Sequence, residues 1–200
     1  MNTRDRILEA AEQVIRSHGF ARATTKEIAR AADCSEGSLY NHFKGKEDLF
    51  LCILRERLPT FIRQLIEFPG RAGSGTVQGN LREMAQTALA FYRQSIPLGA
   101  SIVSEPALLD RQREVLREKN IGPHKANELF AAYLRAEQQS GRLDADADTE
   151  SVAAAILGAC FQRAYMAEIL GREPSDTAPD AFIDKVLEAV LAGWLPTRDS

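Results

Sequence analysis

The chain has 200 residues, of which 44% are hydrophobic and 26% are charged. This composition can form one large or two small domains with a real core, and it excludes a protein that is disordered throughout. A formal net charge of −3 excludes a chain that is basic overall, so any contact with nucleic acid depends on a local sorting of charges.

The three cysteines, Cys34, Cys52 and Cys160, are widely separated and form no CxxC pair, and the histidines are not clustered. We therefore expect no disulfide framework, no metal site and no cofactor. Whether one of the thiols senses redox state stays open. The N-terminus lacks the apolar segment of a signal peptide, and no apolar run approaches the roughly 18 residues of a membrane helix. These features predict a cytoplasmic protein without a membrane partner.

Two helices are predicted in the first 32 residues. Apolar residues recur at helical spacing over residues 4–18, and Gly19 follows as a typical helix end. Thr24 and Glu27 then have capping-box spacing, in which each side chain bonds a free backbone amide of the other. This spacing predicts a second helix that begins near Thr25.

A tight turn and a third short helix are predicted next. Asp33 and Cys34 interrupt the apolar pattern, and Ser35 is a second N-cap. The third helix is expected to run from Glu36 to about Phe43. Helix, turn and helix is an arrangement that reads DNA. The same pattern also fits an ordinary helical hairpin, and by itself it leaves both interpretations open.

A long helix is predicted from Lys46 over about five turns. Pro59 lies inside it and is expected to kink or split the helix near Leu58, because proline lacks an amide proton. The stretch Phe68–Thr76, in which four of nine residues are Gly or Pro, is predicted to be a mobile loop. It resembles a phosphate-binding loop only superficially, since Thr76 stands where the lysine belongs.

Helical patterning resumes at Val77 and is expected to stop at Ile96–Pro97. Two short helices, about 98–104 and about 106–119, should follow. Gly122–Pro123 opens a further helix that ends at Gly141.

The C-terminal third contains two predicted helices, about 149–170 and 179–194. Three aspartates precede the first one and begin like a calcium loop, but the loop's glycine and closing acid are missing. These acids are better explained as negative charge at a helix N-terminus. Both helices have too many apolar residues for one buried stripe, which indicates a homodimer that joins as a four-helix bundle. The alternative is a helix buried inside a monomer.

Across the first fifty residues, one set of positions carries a specific pattern: Arg4, Ile7, Leu8, Ala10, Ala11, Gly19, Phe20, Thr24, Thr25, Ile28, Ala29, Ser35, Gly37, Leu39, Tyr40, His42, Phe43, Lys46, Glu47, Leu49 and Phe50. This pattern resembles the DNA-binding domain of the TetR family of bacterial transcriptional regulators. The chain departs from it at Asp33 and Cys34, where the family usually has Gly and a small β-branched residue. Asp tolerates the left-handed backbone that Gly would supply, so the turn should survive.

The resemblance implies an all-α fold with two domains. Residues 1–45 would form a three-helix, helix-turn-helix DNA-binding domain, and residues 46–200 a helical domain for ligand binding and dimerisation. The helix that begins at Glu36 would enter the major groove, so that each subunit reads half of a palindromic operator in double-stranded DNA.

The residues on and around this helix have suitable chemistry for the role. Asn41 and His42 can bond base edges, and Glu36 can accept from a cytosine amine. Ser35 and Ser38 can bond phosphate or base, and Gly37 permits a close backbone approach. The predicted phosphate contacts are Thr25, Lys26, Tyr40 and Lys46.

A small-molecule effector pocket is predicted from polar or aromatic residues on otherwise apolar helices. These are Phe91, Tyr92, Gln94, Ser101, Phe130, Tyr133, Phe161, Gln162, Arg163 and Tyr165. The mixture favours a mostly apolar effector with a polar or anionic group near Arg163, although Arg163 also fits an interface ion pair.

The leading hypothesis is a ligand-responsive repressor that leaves its operator when the effector binds, and not an enzyme. One alternative is a helical adaptor that binds protein and has lost DNA reading. Another is an enzyme that uses Cys160 or Cys52 as nucleophile with His124, but no triad spacing or metal cluster in the sequence supports it.

Overall fold

All regular structure in the described part of the chain is helical. The computed structural model describes residues 2–118, 120 and 122–195, with the backbone alone at residues 55, 57–60 and 101. The helices are α1 (Thr3–His18), α2 (Thr25–Ala31), α3 (Glu36–His42), α4 (Lys46–Leu65), α5 (Val77–Val103), α6 (Pro106–Glu118), α7 (His124–Gln139), α8 (Thr149–Leu170) and α9 (Pro179–Leu191), with a 3-10 turn at Phe68–Arg71. This confirms the predicted all-α fold.

The chain forms two compact units. One comprises Met1–Pro59 and Ser95–Asn120, and the other comprises Thr60–Gln94 and Ile121–Ser200. Helices α4 and α5 therefore each contribute residues to both units. These units are defined by packing, whereas the predicted domains 1–45 and 46–200 are defined by function, so the functional boundary stays a prediction.

The first unit has a single apolar core. Side chains from each of the helices α1 to α4 and from the residue after α3 are buried in it, including Ile7, Ile28, Leu39, Phe43, Leu49 and Phe50. Leu98, Ile102 and Leu108, from the end of α5 and from α6, belong to the same cluster. Three short helices alone bury too little apolar surface for a stable domain, so α4, α5 and α6 supply the missing part of the core.

A buried polar network organises one end of the second unit. The fully buried Glu137 carboxylate accepts from the Tyr133 hydroxyl at 2.6 Å and from the Gly73 amide at 3.2 Å. Arg142 pairs with the same carboxylate at 3.5 Å and donates to the Gly75 carbonyl at 2.6 Å. The network thus ties the stretch predicted to be a mobile loop, residues 68–76, to α7.

Tyr133 is held in its donor form inside this network. Burial, together with the hydrogen bond to Glu137, raises the pKa of the Tyr133 hydroxyl. The Tyr133 oxygen in turn accepts from the Asn80 amide at 3.0 Å. Each hydrogen bond in the series from Asn80 through Tyr133 to Glu137 therefore has a fixed donor and acceptor.

The expected stop at Ile96–Pro97 is wrong, because α5 runs unbroken from Val77 to Val103 with Pro97 inside it. The separate helix predicted at 98–104 is the last part of α5. Proline inside a helix costs about 3 kcal/mol, because it removes one amide donor and crowds the carbonyl four residues before it. Burial of Leu98 and Ile102 on the continued helix offsets that cost.

Of the two outcomes predicted for Pro59, a split of the fourth helix near Leu58 does not occur, because helix α4 is continuous from Lys46 to Leu65. A kink at this position stays a prediction.

Helix α8 begins where the run of acidic residues ends. Asp148 is its N-cap and accepts from the amides of Glu150 and Ser151, each at 3.2 Å. This confirms that the acids precede a helix N-terminus. Among the described helices, α8 is the one whose length and composition would allow it to cross a membrane. One such helix is weak support for a membrane segment, because core helices have the same composition.

We predict that Glu137→Ala destabilises the protein. The substitution removes the partner of Tyr133, Arg142 and the Gly73 amide at once. Because Arg142 is partly exposed, the loss should lie near the lower end of the roughly 3–5 kcal/mol that breaking a buried pair costs. Urea unfolding followed by circular dichroism measures this loss.

Glu128→Ala is the matched control, because Glu128 is an exposed acid on the same helix whose partner is Lys125. It should leave the urea midpoint almost unchanged. Equal midpoints for the two variants would contradict a supporting role for the Glu137 network.

Candidate functional site

The start of α2 is fixed by the predicted capping box. The Thr24 hydroxyl accepts from the Glu27 amide at 3.2 Å, and the Glu27 carboxylate accepts from the Thr24 amide at 3.1 Å. The Thr24 hydroxyl also donates to Glu27 Oε2 at 2.9 Å, and this hydrogen bond, together with that from the Thr24 amide, holds the pKa of the Glu27 carboxyl below its usual value. Thr25 is therefore the first helical residue, as predicted, and its hydroxyl lies at a helix N-terminus.

The turn between α2 and α3 has the backbone that the sequence predicts. Asp33 has a φ of 50°, in the left-handed region, and the Cys34 amide closes the end of α2 by donating to the Ala29 carbonyl at 3.0 Å. The Cys34 side chain packs, partly buried, against the core of the first unit. Ser35 caps α3 by accepting from the Ser38 amide at 3.1 Å.

Helix α3 has a buried side and an exposed side. Leu39, together with Phe43 at the helix end, anchors it in the core. Tyr40 is 53% exposed, and Asn41 and His42 are also exposed. The core thus holds this seven-residue helix while its polar residues face outward.

Three side chains connect α2 with α3. The Thr25 hydroxyl donates to Glu36 Oε1 at 2.7 Å and lies 3.4 Å from the Tyr40 hydroxyl. Lys26 is exposed next to them. Two of the predicted phosphate contacts and one predicted base contact are therefore already bonded to one another.

Lys46 makes contacts within the protein that the sequence did not indicate. Its ammonium donates to the Phe20 carbonyl at 2.9 Å and lies 4.4 Å from the centre of the Phe20 ring. This joins the start of α4 to the connection between α1 and α2. An ammonium has three donors, so the predicted phosphate contact remains compatible with this role.

The sequence did not lead us to Arg30 as a candidate DNA-contact residue, although Arg30 lies on α2 one turn after Lys26 and is exposed. Both residues line an open groove of about 450 Å³, together with Ala29, Asp33, Cys34 and Glu36. The four-residue spacing between the two cations is the signal that would have identified Arg30. Two basic and two acidic side chains therefore share this flank of the turn.

Four of the predicted pocket residues form a row of aromatic rings in the second unit. Phe91 stacks on Phe61, with centroids 4.2 Å apart, and lies 5.7 Å from Tyr92. Tyr92 meets Phe161 edge-on at 5.5 Å, and Tyr165 follows at 6.2 Å. Burial raises the pKa of Tyr92 to about 12. Phe61 is the member of this row that the sequence did not single out.

The other predicted pocket residues lie in different surroundings. Phe130 and Tyr133 are fully buried, whereas Gln94 and Gln162 are exposed. The side chain of Ser101 lies outside the described part of the structure. A separate open groove of about 500 Å³ is lined by none of the ten, and its residues are Arg63, Gln64, Glu67, Phe68, Glu83 and Thr87.

Arg163 is only 2% exposed and is bonded within its own chain. Its guanidinium donates to Glu173 at 2.8 Å and to the Thr177 carbonyl at 2.7 Å, and it lies 4.7 Å from the centre of the Phe182 ring. Arg93 pairs with the same Glu173. Arg163 therefore fastens the connection between α8 and α9.

Cys160 is 1% exposed, and its thiol lies 3.6 Å from the Ala85 carbonyl, to which it donates. Burial raises the pKa of this thiol to about 12, so it stays protonated and weakly nucleophilic at neutral pH. His124, its suggested partner, is exposed on α7. Among the described residues, no group of three or more metal-ligating side chains could hold a metal ion.

Comparison with known proteins gives matches to two family models. Residues 7–53 match the model of bacterial regulatory proteins of the tetR family. Residues 102–194 match the C-terminal domain of AefR-like transcriptional repressors. The first match covers the helix-turn-helix described above, and the second covers α6 to α9.

Two bacterial transcriptional regulators are similar in sequence to this chain. The transcriptional regulator UidR of Escherichia coli (strain K12) is 28% identical over 197 residues, which cover 96% of this chain and 93% of UidR. The regulator QacR of Staphylococcus aureus (strain Mu50 / ATCC 700699) is 46% identical over 54 residues, or 27% of this chain and 29% of QacR.

A solved structure shows the same fold. A TetR-family transcriptional regulator from Mesorhizobium loti MAFF303099 superimposes with a TM-score of 0.77 at 20% identity, and the match covers 97% of both chains.

We predict that Cys160 is unreactive in the folded protein. In a variant with Cys34→Ser and Cys52→Ser, a disulfide reagent such as dithionitrobenzoate should label nothing at neutral pH until guanidinium unfolds the chain. Folding stability should fall as the pH rises from about 9, the usual thiol value, to about 12, because only the unfolded chain loses the Cys160 proton there.

The matched control keeps Cys34 and replaces the other two cysteines with serine. Cys34 is only partly buried, so this variant should react without denaturant. Labelling of Cys160 at the same rate in the folded protein would contradict the burial described here.

Proposed function

The chain belongs to the TetR family of bacterial transcriptional regulators, and from this premise we propose how its surfaces read DNA, join two copies and accept an effector. It is a ligand-responsive regulator of the repressor kind and not an enzyme. In our proposal it acts in the cytoplasm as a homodimer on a palindromic operator, and effector binding releases it from the DNA.

The observation that carries this proposal is the two-sided α3. Leu39 and Phe43 fix the helix in the core, and its other side presents Ser38, Asn41 and His42. Amide, imidazole and hydroxyl groups can bond base edges in the major groove, which is wide enough for a helix. In this proposal α3 enters the groove, with Ser35, Glu36 and Gly37 at its leading end.

The flanking residues fit the DNA backbone. Thr25 and Lys26 lie at the N-terminus of α2, where free amides favour an anion. Tyr40 extends its hydroxyl beside Thr25, and Arg30 adds a cation on the same side of α2. Residues 1–45 would read DNA in this way, with Lys46 at the boundary, and residues 46–200 would carry the partner and effector surfaces.

A second copy is proposed to cover the outer face of α8. Five large apolar side chains are exposed near its C-terminal end: Phe161, Tyr165, Met166, Ile169 and Leu170. The N-terminal half of the helix exposes small residues instead, namely Ala154, Ala155 and Gly158. Antiparallel pairing about a two-fold axis would place the bulky half of one α8 against the small half of its partner, and α9 would complete a four-helix bundle.

The effector is proposed to bind against Phe61, Phe91 and Tyr92 of the aromatic row, because the exposed rings of Phe161 and Tyr165 belong to the face assigned to the second copy. Flat apolar rings with the one phenolic hydroxyl of Tyr92 suit a largely apolar, aromatic or polycyclic small molecule. Arg163 is already paired with Glu173, so we do not assign it to an anionic group of the effector. Its proposed part is to fix the turn between α8 and α9.

Selection of bound duplexes from a random pool tests the DNA-reading proposal. We expect the wild-type protein to enrich a palindrome. Asn41→Ala should weaken binding to that site by about 1–3 kcal/mol, the usual worth of a base contact. Tyr40→Phe should weaken binding to all duplexes alike, because it removes a phosphate contact.

Gln139→Ala serves as the control, since it removes an exposed amide from α7. Its affinity should equal that of the wild type. Failure of the wild-type protein to enrich any sequence would favour the adaptor hypothesis instead.

Sedimentation velocity tests the dimer proposal. Ile169 is 66% exposed, and Ile169→Asp would bury a charge in the proposed interface. We expect dimerisation to weaken roughly 30-fold or more. Val103→Asp makes a similar change at a side chain that is 72% exposed on α5 and should remain dimeric. A wild-type monomer, or equal effects of the two substitutions, would refute the interface.

A further inference from the structure

The side chains between α2 and α3 form a series of hydrogen bonds in which every donor points the same way. A threonine hydroxyl has a single proton, and that of Thr25 is donated to Glu36 at 2.7 Å. In the 3.4 Å contact between Thr25 and Tyr40, the Tyr40 hydroxyl must therefore be the donor. Both hydroxyl protons therefore point toward the Glu36 carboxylate, that of Tyr40 by way of Thr25.

This arrangement conflicts with the phosphate contacts proposed above. Phosphate oxygens are acceptors, so the Thr25 and Tyr40 hydroxyls can bind a phosphate only by donating hydrogen bonds to it. Thr25 must then release Glu36. The single hydroxyl proton of Thr25 cannot bond the phosphate and Glu36 at once. In the free protein it bonds the Glu36 carboxylate.

The position of Glu36 determines which new partner its carboxylate can find after that release. It is the first residue of α3, exposed at the end of the helix that is proposed to enter the major groove. A carboxylate there can accept a hydrogen bond from the amine on C4 of cytosine. Without such a donor, it would lie without a hydrogen-bond partner beside a polyanion, which is unfavourable.

We propose that Glu36 is a specificity-determining residue that exchanges its Thr25 hydrogen bond for a cytosine amine when the protein docks on its operator. Phosphate binding by Thr25 frees the carboxylate at every DNA site, but only sites with cytosine at the facing base provide a new donor. DNA sequences without this cytosine leave the Glu36 carboxylate unpaired and therefore bind the protein more weakly. The inference rests on the proposed DNA-reading function and assigns one base preference within it.

Glu36→Gln tests the exchange, because glutamine keeps the size of the side chain and removes its charge. The experiment uses the full-length protein, the selected operator, that operator with each base pair changed in turn, and a random duplex. Glu36→Gln should bind random duplex about two- to fivefold more tightly, since one repelling charge is gone. Its preference at one cytosine in each half-site should fall roughly fivefold or more, while the other positions keep theirs.

Asp33→Asn is the matched control. Asp33 lines the same groove as Glu36, so this substitution removes one negative charge from the same flank. Asparagine also tolerates the φ of 50° at this position. It should raise random-duplex affinity similarly and leave every base preference unchanged. If Glu36→Gln behaves in the same way, the carboxylate acts only by repulsion and the inference is overturned.

Thr25→Val tests the other half of the exchange. It removes the hydroxyl but keeps the shape, so it should weaken binding to operator and random duplex by the same factor. Glu36 then has no Thr25 hydrogen bond to give up at any site, so the cytosine preference should be retained. Loss of that preference would overturn the exchange.

The same measurements separate the inference from the function on which it rests. If the wild-type protein enriches no operator, the proposed function itself fails. If it enriches a palindrome in which no base preference depends on Glu36, the proposed function stands and only the exchange is wrong.

Discussion

The burial of Leu39 and Phe43 is the constraint on which the proposed DNA-reading surface of α3 depends. A helix of seven residues is too short to be stable alone in water, so tertiary packing must both form α3 and orient it. Fixing these two side chains in the core determines which residues point outward. The core in turn depends on α4, α5 and α6, because α1 to α3 alone bury too little apolar surface. The orientation of α3 therefore depends on residues as distant in sequence as Leu108.

Polar side chains have a comparable organising role in the second unit. Glu137 joins Tyr133, the Gly73 amide and Arg142, and Glu173 joins Arg93 with Arg163. Each carboxylate anchors a connection between helices. A buried charge is costly unless it is paired, so these pairs restrict the connections to one arrangement. The aromatic row and the exposed face of α8 lie on the helices that these connections join.

Interactions between near neighbours in sequence were predictable. The capping box at Thr24, the cap at Ser35, the left-handed backbone at Asp33 and the start of α8 all depend on residues within four positions of each other. Their physical cause is the need of free backbone groups for a partner. The effect of Pro97 was not predictable in this way. Its local cost is real, but the burial of Leu98 and Ile102 outweighs it, and burial depends on the whole fold.

The sequence by itself determined the all-helical fold, the helix-turn-helix with its caps and the family resemblance, because helical periodicity and capping are encoded within a few residues. Only the tertiary structure decided how the candidate site residues are engaged. Lys46 meets a carbonyl 26 residues away, and Glu137 meets an amide 64 residues away. The hydroxyl chain from Tyr40 through Thr25 to Glu36 likewise requires two helices to meet at a defined angle. Such encounters arise from packing, which no local pattern specifies.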